Sequence, residues 1–133
     1  MRYSRHAHNW ESPRAYSPAV TVGEWVHVSG HVPVDADGRT VGSDGATQAA
    51  QALGNVLRTL ESAGATSDDV VATTVYLTDI ADMDAVDGAY RTVFTGRSFP
   101  ARTTVEVSRL GRSDFRVEIS AIAHVAPDRR PEP

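Results

Sequence analysis

One arginine stands at the entrance of an apolar, strand-like run, which makes it the strongest candidate for chemistry in the chain. Arg102 follows Phe99-Pro100-Ala101 and leads into Thr103-Thr104-Val105. A planar guanidinium can hold a carboxylate through two parallel hydrogen bonds, which no other side chain offers. A lone arginine is more often part of a surface ion pair, but the position at the head of this strand favours a functional role. Arg102 is therefore predicted to bind and orient the carboxylate of a small substrate.

Strand alternation groups residues of the last two predicted strands into two sets that contain most of the polar side chains there. Alternate side chains of a strand share a face, so Arg102, Thr104 and Glu106 form one set. In the last strand the corresponding set is Glu118, Ser120, Ile122 and His124. These two sets are predicted to meet near one cleft.

The residue types that are missing exclude several mechanisms. The chain has no cysteine, and all 13 basic residues are arginine. Thiolate nucleophiles, cysteine metal sites, disulfides and lysine Schiff bases are therefore excluded. The chain also has no glycine-rich phosphate loop, no His-Glu-x-x-His motif and no nucleophile elbow. His6-Ala7-His8 has a spacing that a metal could use, but it lies near the chain start, and we predict neither a metal nor a cofactor.

Composition and charge narrow the class of protein. The chain has 133 residues, 41% of them hydrophobic, and a formal net charge of −4. This charge argues against nucleic acid as a partner, because phosphate contacts require a clustered basic surface. No apolar run approaches the roughly 20 residues that span a bilayer, and no signal peptide is evident. The sequence thus predicts a cytoplasmic protein that does not interact with membranes.

The elements that position these residues follow from hydrophobic periodicity. Ala19 to Val22 and Trp25 to Ser29 are predicted to form a hairpin around Gly23-Glu24, and Arg39 to Val41 a short third strand. Apolar residues at helical spacing predict helices from Gly45 to Ala63 and from Asp82 to Phe94. Further strands are predicted for Val70 to Thr78, Arg102 to Ser108 and Arg116 to Val125.

This order of elements predicts a two-layer α+β domain, with a mixed sheet and both helices on one face. The domain is expected to cover residues 15–126, between a loose segment at 1–14 and a flexible tail at 127–133. The second sheet face lacks a cover within the chain. Because an exposed apolar sheet face is unfavourable in water, this face is predicted to pack against other copies of the chain.

Four segments resemble, in order and spacing, the signatures of the Rid/YjgF family. They are Ala15-Tyr16-Ser17-Pro18-Ala19-Val20, Val26-His27-Val28-Ser29-Gly30-His31-Val32-Pro33, Val71-Ala72-Thr73-Thr74-Val75-Tyr76-Leu77-Thr78-Asp79 and Phe99-Pro100-Ala101-Arg102-Thr103-Thr104-Val105-Glu106-Val107. The resemblance runs from about Tyr16 to Ala123. It implies a chorismate-mutase-like homotrimer with active sites in the clefts between subunits. It also implies hydrolysis of reactive enamines and imines to 2-oxo acids and ammonia without a cofactor, with Arg102 as the signature arginine.

The resemblance also implies a set of site residues. Tyr16, Ser29, Gly30, His31 and Thr104 are expected to contact the substrate together with Arg102. The family usually has a cysteine in place of Thr104, an asparagine in place of Asp87 and a glutamate in place of Ser120. Asp87 and Ser120 are therefore interpreted as catalytic positions, with Asp87 as a substitute carboxylate.

Three functional hypotheses remain open from the sequence. The first is an imine or enamine deaminase that binds a small carboxylate-bearing substrate. The second is an enzyme that binds the same carboxylate but catalyses tautomerisation, cyclisation or another hydrolysis in a specialised pathway. The third is a noncatalytic ligand-binding or chaperone-like trimer.

Overall fold

A six-stranded mixed sheet and two helices make up the fold in the computed structural model, which describes residues 1–4, 10, 12–96 and 98–129. The strands are β1 (Arg2–Ser4), β2 (Ala19–Val22), β3 (Trp25–His31), β4 (Val70–Leu77), β5 (Ala101–Glu106) and β6 (Val117–His124). The helices are α1 (Gly45–Ser62) and α2 (Met83–Val93). Short 3-10 turns occupy Ser67–Asp69, Ile80–Asp82 and Pro127–Arg129.

The strands lie in the order β1, β2, β3, β6, β4, β5. Among the strands of the described residues, only β4 and β5 pair in parallel, with Thr73 opposite Arg102. The connection between parallel strands requires a crossover, and α2 supplies it. Because β5 is the last strand in this order, it lies at an edge of the sheet, with Arg102 near its start.

Both helices pack on one face of the sheet, as the sequence predicted. The core contains apolar side chains of α1, of α2 and of the alternate strand positions that face them, among them Leu53, Val86, Val75 and Ile119. In β6 every second residue from Val117 to Ala123 is buried, and the residues between them are only half-buried. The prediction of a two-layer α+β domain is therefore confirmed.

The ends of α1 follow from local chemistry. The Asp44 side chain accepts a hydrogen bond from the Thr47 backbone N–H at 3.1 Å, which satisfies one of the free donors at the helix start. After the last turn, Gly64 has a φ of 80° and the Ala65 N–H donates to the Leu60 carbonyl. A left-handed residue at this point ends the helix, so the predicted stop at Gly64 is confirmed.

Two sequence predictions about strands differ from the structure. Arg39 to Val41 is not a strand, because the Asp35–Gly38 turn leaves only a single bridge between Val34 and Thr40. Within the segment predicted to be loose, Arg2–Ser4 pairs with β2 as an edge strand. Backbone hydrogen bonds to an available sheet edge do not need an apolar sequence pattern, so the composition of this segment gave no sign of them.

A buried glutamine fixes the loops that lead to the site. Gln48 of α1 has no exposed surface, and its amide nitrogen donates to the carbonyls of Gly42 at 3.1 Å and Asp114 at 2.8 Å. Its amide oxygen accepts from the Arg116 backbone N–H at 2.6 Å. These three bonds hold the loop before β6 against the helix layer, and therefore set where β6 begins.

Candidate active site

Arg102 lies on the helix face of the sheet and forms an ion pair with α2. Its Nη2 donates to Asp87 Oδ1 at 2.6 Å, and the two side chains are 21% and 30% exposed. The guanidinium carbon lies 4.9 Å from the centre of the Tyr90 ring, within cation–π range. Arg102 is thus held between a carboxylate and an aromatic face while part of it stays open to solvent.

Tyr90, whose ring contacts the Arg102 guanidinium, is itself held by a hydrogen bond. The Tyr90 hydroxyl donates to Thr73 Oγ1 at 2.7 Å, next to the position where Thr73 pairs with Arg102. Burial raises the pKa of Tyr90, so the phenol stays neutral near neutral pH. The ring therefore provides a fixed, uncharged surface for the guanidinium.

Arg102, Asp87 and Tyr90 line an open cavity of about 250 Å³, with Arg91, Phe99 and Pro100 completing its wall. We call it the arginine cavity. Phe99 is 56% exposed, so a large apolar surface is accessible in this wall. The cavity therefore offers a guanidinium beside an apolar wall, an arrangement suited to a small carboxylate with a short side chain.

A second and larger cavity, of about 570 Å³, contains several of the other predicted residues. Tyr16, Ser29 and Gly30 line it together with Glu118 of β6. We call it the glutamate cavity. The Ser29 hydroxyl donates to the Ser17 carbonyl at 2.5 Å, so its proton is engaged and its oxygen can act only as an acceptor towards another group. Tyr16 is 44% exposed and forms part of the wall rather than of the core.

Among the described residues that line this cavity, Glu118 is the acidic one, and the sequence interpretation did not assign it a role. Burial raises the pKa of the Glu118 carboxyl above its ordinary value. The carboxyl lies directly against the Cα of Gly30, in the space that a Cβ at position 30 would need. A glycine at that position is therefore required for the observed placement of the glutamate.

A signal for Glu118 was present in the sequence. The residue is an acid between Val117 and Ile119, within a strand whose helix-facing positions are all apolar. Such an acid lies on the opposite sheet face, next to the strand that carries Ser29-Gly30. The sequence interpretation placed Glu118 on the same face as Ser120 but gave the catalytic role to Ser120.

Within one chain, the two sets that were predicted to meet near a cleft lie on opposite faces of the sheet. Their meeting in a cleft between subunits stays a prediction. Arg102, Thr104 and Glu106 pair with Thr73, Val75 and Leu77 of β4, whose side chains face the helices. Glu118 and Ser120 pair with Tyr76 and Thr74, which point to the other face. Because consecutive residues of β4 alternate between faces, Arg102 and Glu118 of one chain lie on opposite sides of the sheet.

The remaining predicted residues are placed as follows. His31 is only 4% exposed and pairs with the fully buried Ile119, so it belongs to the helix-side core and not to a cavity wall. The bulge between Val28 and His31 reverses the alternation that would have turned His31 outward. Thr104 is half-buried beside Val75, and Ser120 beside Thr74; neither lines one of the two cavities.

The two histidines weighed as metal ligands, His6 and His8, lie outside the described residues. Within the described ranges, no group of three histidine, cysteine, aspartate or glutamate side chains has a metal-binding arrangement. The helices in the described part of the chain also include none long and apolar enough to cross a membrane.

Comparison with known proteins assigns the family. Residues 7–125 match the family model described as endoribonuclease L-PSP. The chain belongs to the Rid/YjgF family. A 2-iminobutanoate/2-iminopropanoate deaminase of Salmonella typhimurium is 42% identical over 110 residues, covering 81% of this chain and 85% of that protein.

Solved structures of Rid/YjgF proteins share the fold. The YjgF gene product of E. coli matches with a TM-score of 0.86 and 35% identity, covering 93% of this chain and 98% of that one. E. coli TdcF with bound serine matches with a TM-score of 0.88 and 29% identity, covering 95% and 100%. The family resemblance read from the four sequence segments is therefore confirmed.

Proposed function

We propose that this protein is an imine deaminase that hydrolyses small carboxylate-bearing imines or enamines to 2-oxo acids and ammonia. The observation that carries the proposal is Glu118, a partly buried carboxyl with a raised pKa that faces a cavity with Ser29 and Tyr16. A carboxylate whose pKa is closer to neutrality is a better general base at physiological pH. The deaminase name of the Salmonella relative supports the same reaction.

Besides a general base, the reaction requires a site for the substrate carboxylate, and Arg102 supplies it. Its guanidinium is oriented by Asp87 and by the Tyr90 ring before any ligand arrives. Preorganised donors lose little freedom when they bind. The serine bound to the related TdcF is likewise a small molecule with a carboxylate.

The reaction follows from these two groups. With the substrate carboxylate on Arg102, a water held by Glu118 attacks the carbon of the C=N bond, and Glu118 accepts a proton from that water. The resulting carbinolamine receives the proton back on nitrogen, and the C–N bond breaks as the C=O bond forms. One water and one iminium ion thus yield a 2-oxo acid and ammonium, with no oxidation or reduction.

Since Arg102 and Glu118 of one chain lie on opposite sheet faces, the site is proposed to use two copies of the chain. The open sheet face provides a surface for assembly, because Val22, Trp25 and Val105 on this face are 48%, 46% and 38% exposed in the single chain. Large apolar side chains grouped on one face are typical of an interface between subunits. A homotrimer with the arginine cavity of one subunit against the glutamate cavity of the next would bring Arg102 close to Glu118. It would also cover the open sheet face.

The activity is tested by generating 2-iminopropanoate in the presence of the purified protein and following the release of the 2-oxo acid and ammonia. The expected result is an acceleration over spontaneous hydrolysis that Arg102→Ala and Glu118→Gln each abolish. An Arg109→Gln variant is the matched control, because Arg109 is exposed and lies outside both cavities. Release at the spontaneous rate with the unmodified protein would refute the proposal.

Mixing the two inactive variants tests whether the site is shared. If each site takes Arg102 from one subunit and Glu118 from its neighbour, random trimers of equal amounts of Arg102→Ala and Glu118→Gln contain about a quarter of intact sites. Activity should therefore return to about that fraction after the variants are unfolded together and refolded. A site within one chain would give no recovery.

A further inference from the structure

The glutamate cavity is larger than a three- or four-carbon imino acid requires. Its volume of about 570 Å³ falls within the ~300–1,000 Å³ range of sites for much larger ligands. Besides Glu118, Ser29 and Gly30, its wall includes Trp10, Arg112 and Phe115. These three residues bring one guanidinium and two aromatic rings to the wall, and the hydrolytic step uses none of them.

Arg112 is held in this wall by contacts with several segments of the chain. Its Nη1 donates to the Gly38 carbonyl at 2.7 Å and lies 3.4 Å from Thr40 Oγ1. Its guanidinium carbon lies 5.1 Å from the Phe115 ring centre and 5.8 Å from that of Trp10. Both hydrogen bonds use one nitrogen, and two aromatic rings limit the movement of the group.

The charge of the wall favours an anion. Among the described residues, no acidic side chain forms an ion pair with Arg112 or with Arg14, which lines the same cavity. Among the described residues that line this wall, Arg14 and Arg112 carry guanidinium groups and Glu118 carries the one carboxyl group, so the positive charges of this set exceed the negative one.

We propose that Arg112 forms a subsite for a second carboxylate, at the end of the substrate side chain, so that the preferred substrates are 2-imino dicarboxylates. This inference rests on the proposed function and extends it. Arg102 of one subunit binds the carboxylate next to the imine, Glu118 of the neighbour activates the water, and Arg112 of that neighbour binds the distal carboxylate. A guanidinium fixed by stacking is suited to this role because it can pair with a carboxylate through two N–H groups.

The kinetic test compares kcat/KM for 2-iminopropanoate with kcat/KM for the 2-imino dicarboxylates formed by oxidation of aspartate and glutamate. The expected result is a preference for at least one dicarboxylate, and a loss of about tenfold in that preference in Arg112→Gln. Arg112→Lys, which keeps the charge, should restore part of the preference. Arg109→Gln, the matched control, should leave it unchanged.

Two outcomes would overturn the inference without affecting the proposed function. One is turnover of 2-iminopropanoate with no preference for either dicarboxylate. The other is an equal change of preference in Arg112→Gln and Arg109→Gln.

A binding measurement separates this inference from the activity itself. Titration calorimetry with 2-oxoglutarate and 2-oxobutanoate, stable analogues of a diacid and a monoacid, gives the ratio of their dissociation constants whether or not the protein turns over an imine. Tighter binding of the diacid, reduced about tenfold by Arg112→Gln, supports the subsite. Equal binding of the two analogues contradicts it, even if the protein is an active deaminase.

Discussion

Asp87 Oδ1 lies 2.6 Å from Nη2 of Arg102, so the group proposed to bind the substrate carboxylate already has a carboxylate partner within its own chain. The pair fixes the direction of the guanidinium. It also places a negative charge close to the position that the substrate carboxylate must take. These two effects act in opposite directions on substrate binding, and their balance can be measured.

Replacing Asp87 by asparagine should lower the KM for a carboxylate-bearing imine. Asparagine keeps an oxygen that can accept from Arg102, but it removes the charge that repels the substrate. Two carboxylates about 5 Å apart repel by about 1 kcal/mol even when bulk water screens them fully, which corresponds to at least about fivefold in KM. Steady-state kinetics would show this as a fall in KM with kcat changed by less than about threefold.

The same measurement tests the alternative that the sequence suggested for Asp87, a catalytic carboxylate. If Asp87 were the general base, Asp87→Asn would lower kcat by about 100-fold or more. Its contact with Arg102 favours the positioning role, because Asp87 Oδ1 already accepts a hydrogen bond from the guanidinium.

Replacing Arg102 by lysine should impair the enzyme although the charge is retained. Lysine cannot form two parallel hydrogen bonds with one carboxylate, and it cannot stack on the Tyr90 ring as a planar group. We expect kcat/KM to fall by about 10- to 100-fold in Arg102→Lys and further in Arg102→Ala. Equal activity of Arg102→Lys and the unmodified enzyme would show that only the charge matters.

The raised pKa of Glu118 predicts a pH dependence. Only the ionised carboxylate can accept a proton from water, so kcat/KM should fall as the pH decreases through the raised pKa, at a pH above the ordinary glutamate value of 4.5. Glu118→Gln should lower kcat by about 10²- to 10⁴-fold and remove this acidic limb. A pH–rate profile of both proteins checks the assignment.

The raised pKa of Glu118 also predicts how the stability of the protein depends on pH. Because burial raises the pKa of Glu118 in the folded state, the protonated side chain favours folding at low pH, and this contribution is lost as the pH rises through the folded-state pKa. Glu118→Gln should therefore be more stable than the unmodified protein near pH 7, with a difference that shrinks towards pH 4. Urea unfolding at several pH values measures it.

Periodicity and turn chemistry were sufficient to predict most of the fold. The helical spacing of Leu53, Val56 and Leu60 and the glycine at position 64 set the range of α1, and the short Gly23-Glu24 link defined the hairpin. These features depend on contacts close in sequence. Arg102 was selected as a candidate in the same way, because a charged residue at the head of an apolar strand is itself a local anomaly.

The site was harder to predict because it depends on strand pairing. Whether Arg102 and Glu118 share a face is decided by the parallel register of β5 and the antiparallel register of β6 on β4. Alternation within a strand does not reveal that relation. His31 was misplaced for a similar reason, since a bulge in β3 is required to turn it into the core.

Replacing Gly30 by alanine should displace Glu118 and reduce activity without altering the arginine cavity. A Cβ at position 30 would overlap the Glu118 carboxyl, so the glutamate must move. We expect a fall in kcat of at least about tenfold with little change in KM, because Arg102 is untouched. Gly54→Ala is the matched control: it meets only the Arg58 side chain, at 3.6 Å, and should leave kcat unchanged.

Replacing Gln48 by leucine should destabilise the protein, because three backbone groups of two loops lose their partner. The carbonyls of Gly42 and Asp114 and the N–H of Arg116 would remain next to an apolar side chain. A hydrogen bond contributes about 0.5–1.5 kcal/mol net to stability, so we expect the loss of three to lower the free energy of unfolding by about 3 kcal/mol in urea titrations.

Gln51→Leu is the control for this prediction. Gln51 donates to the Val34 carbonyl, but Asn55 also donates to that carbonyl, which therefore keeps a partner. The cost of Gln51→Leu should stay near 1 kcal/mol. Equal destabilisation by the two variants would mean that Gln48 contributes through packing rather than through its bonds to the loop before β6. The position of Glu118 would then depend on the strand pairing of β6 and not on the hydrogen bonds of Gln48.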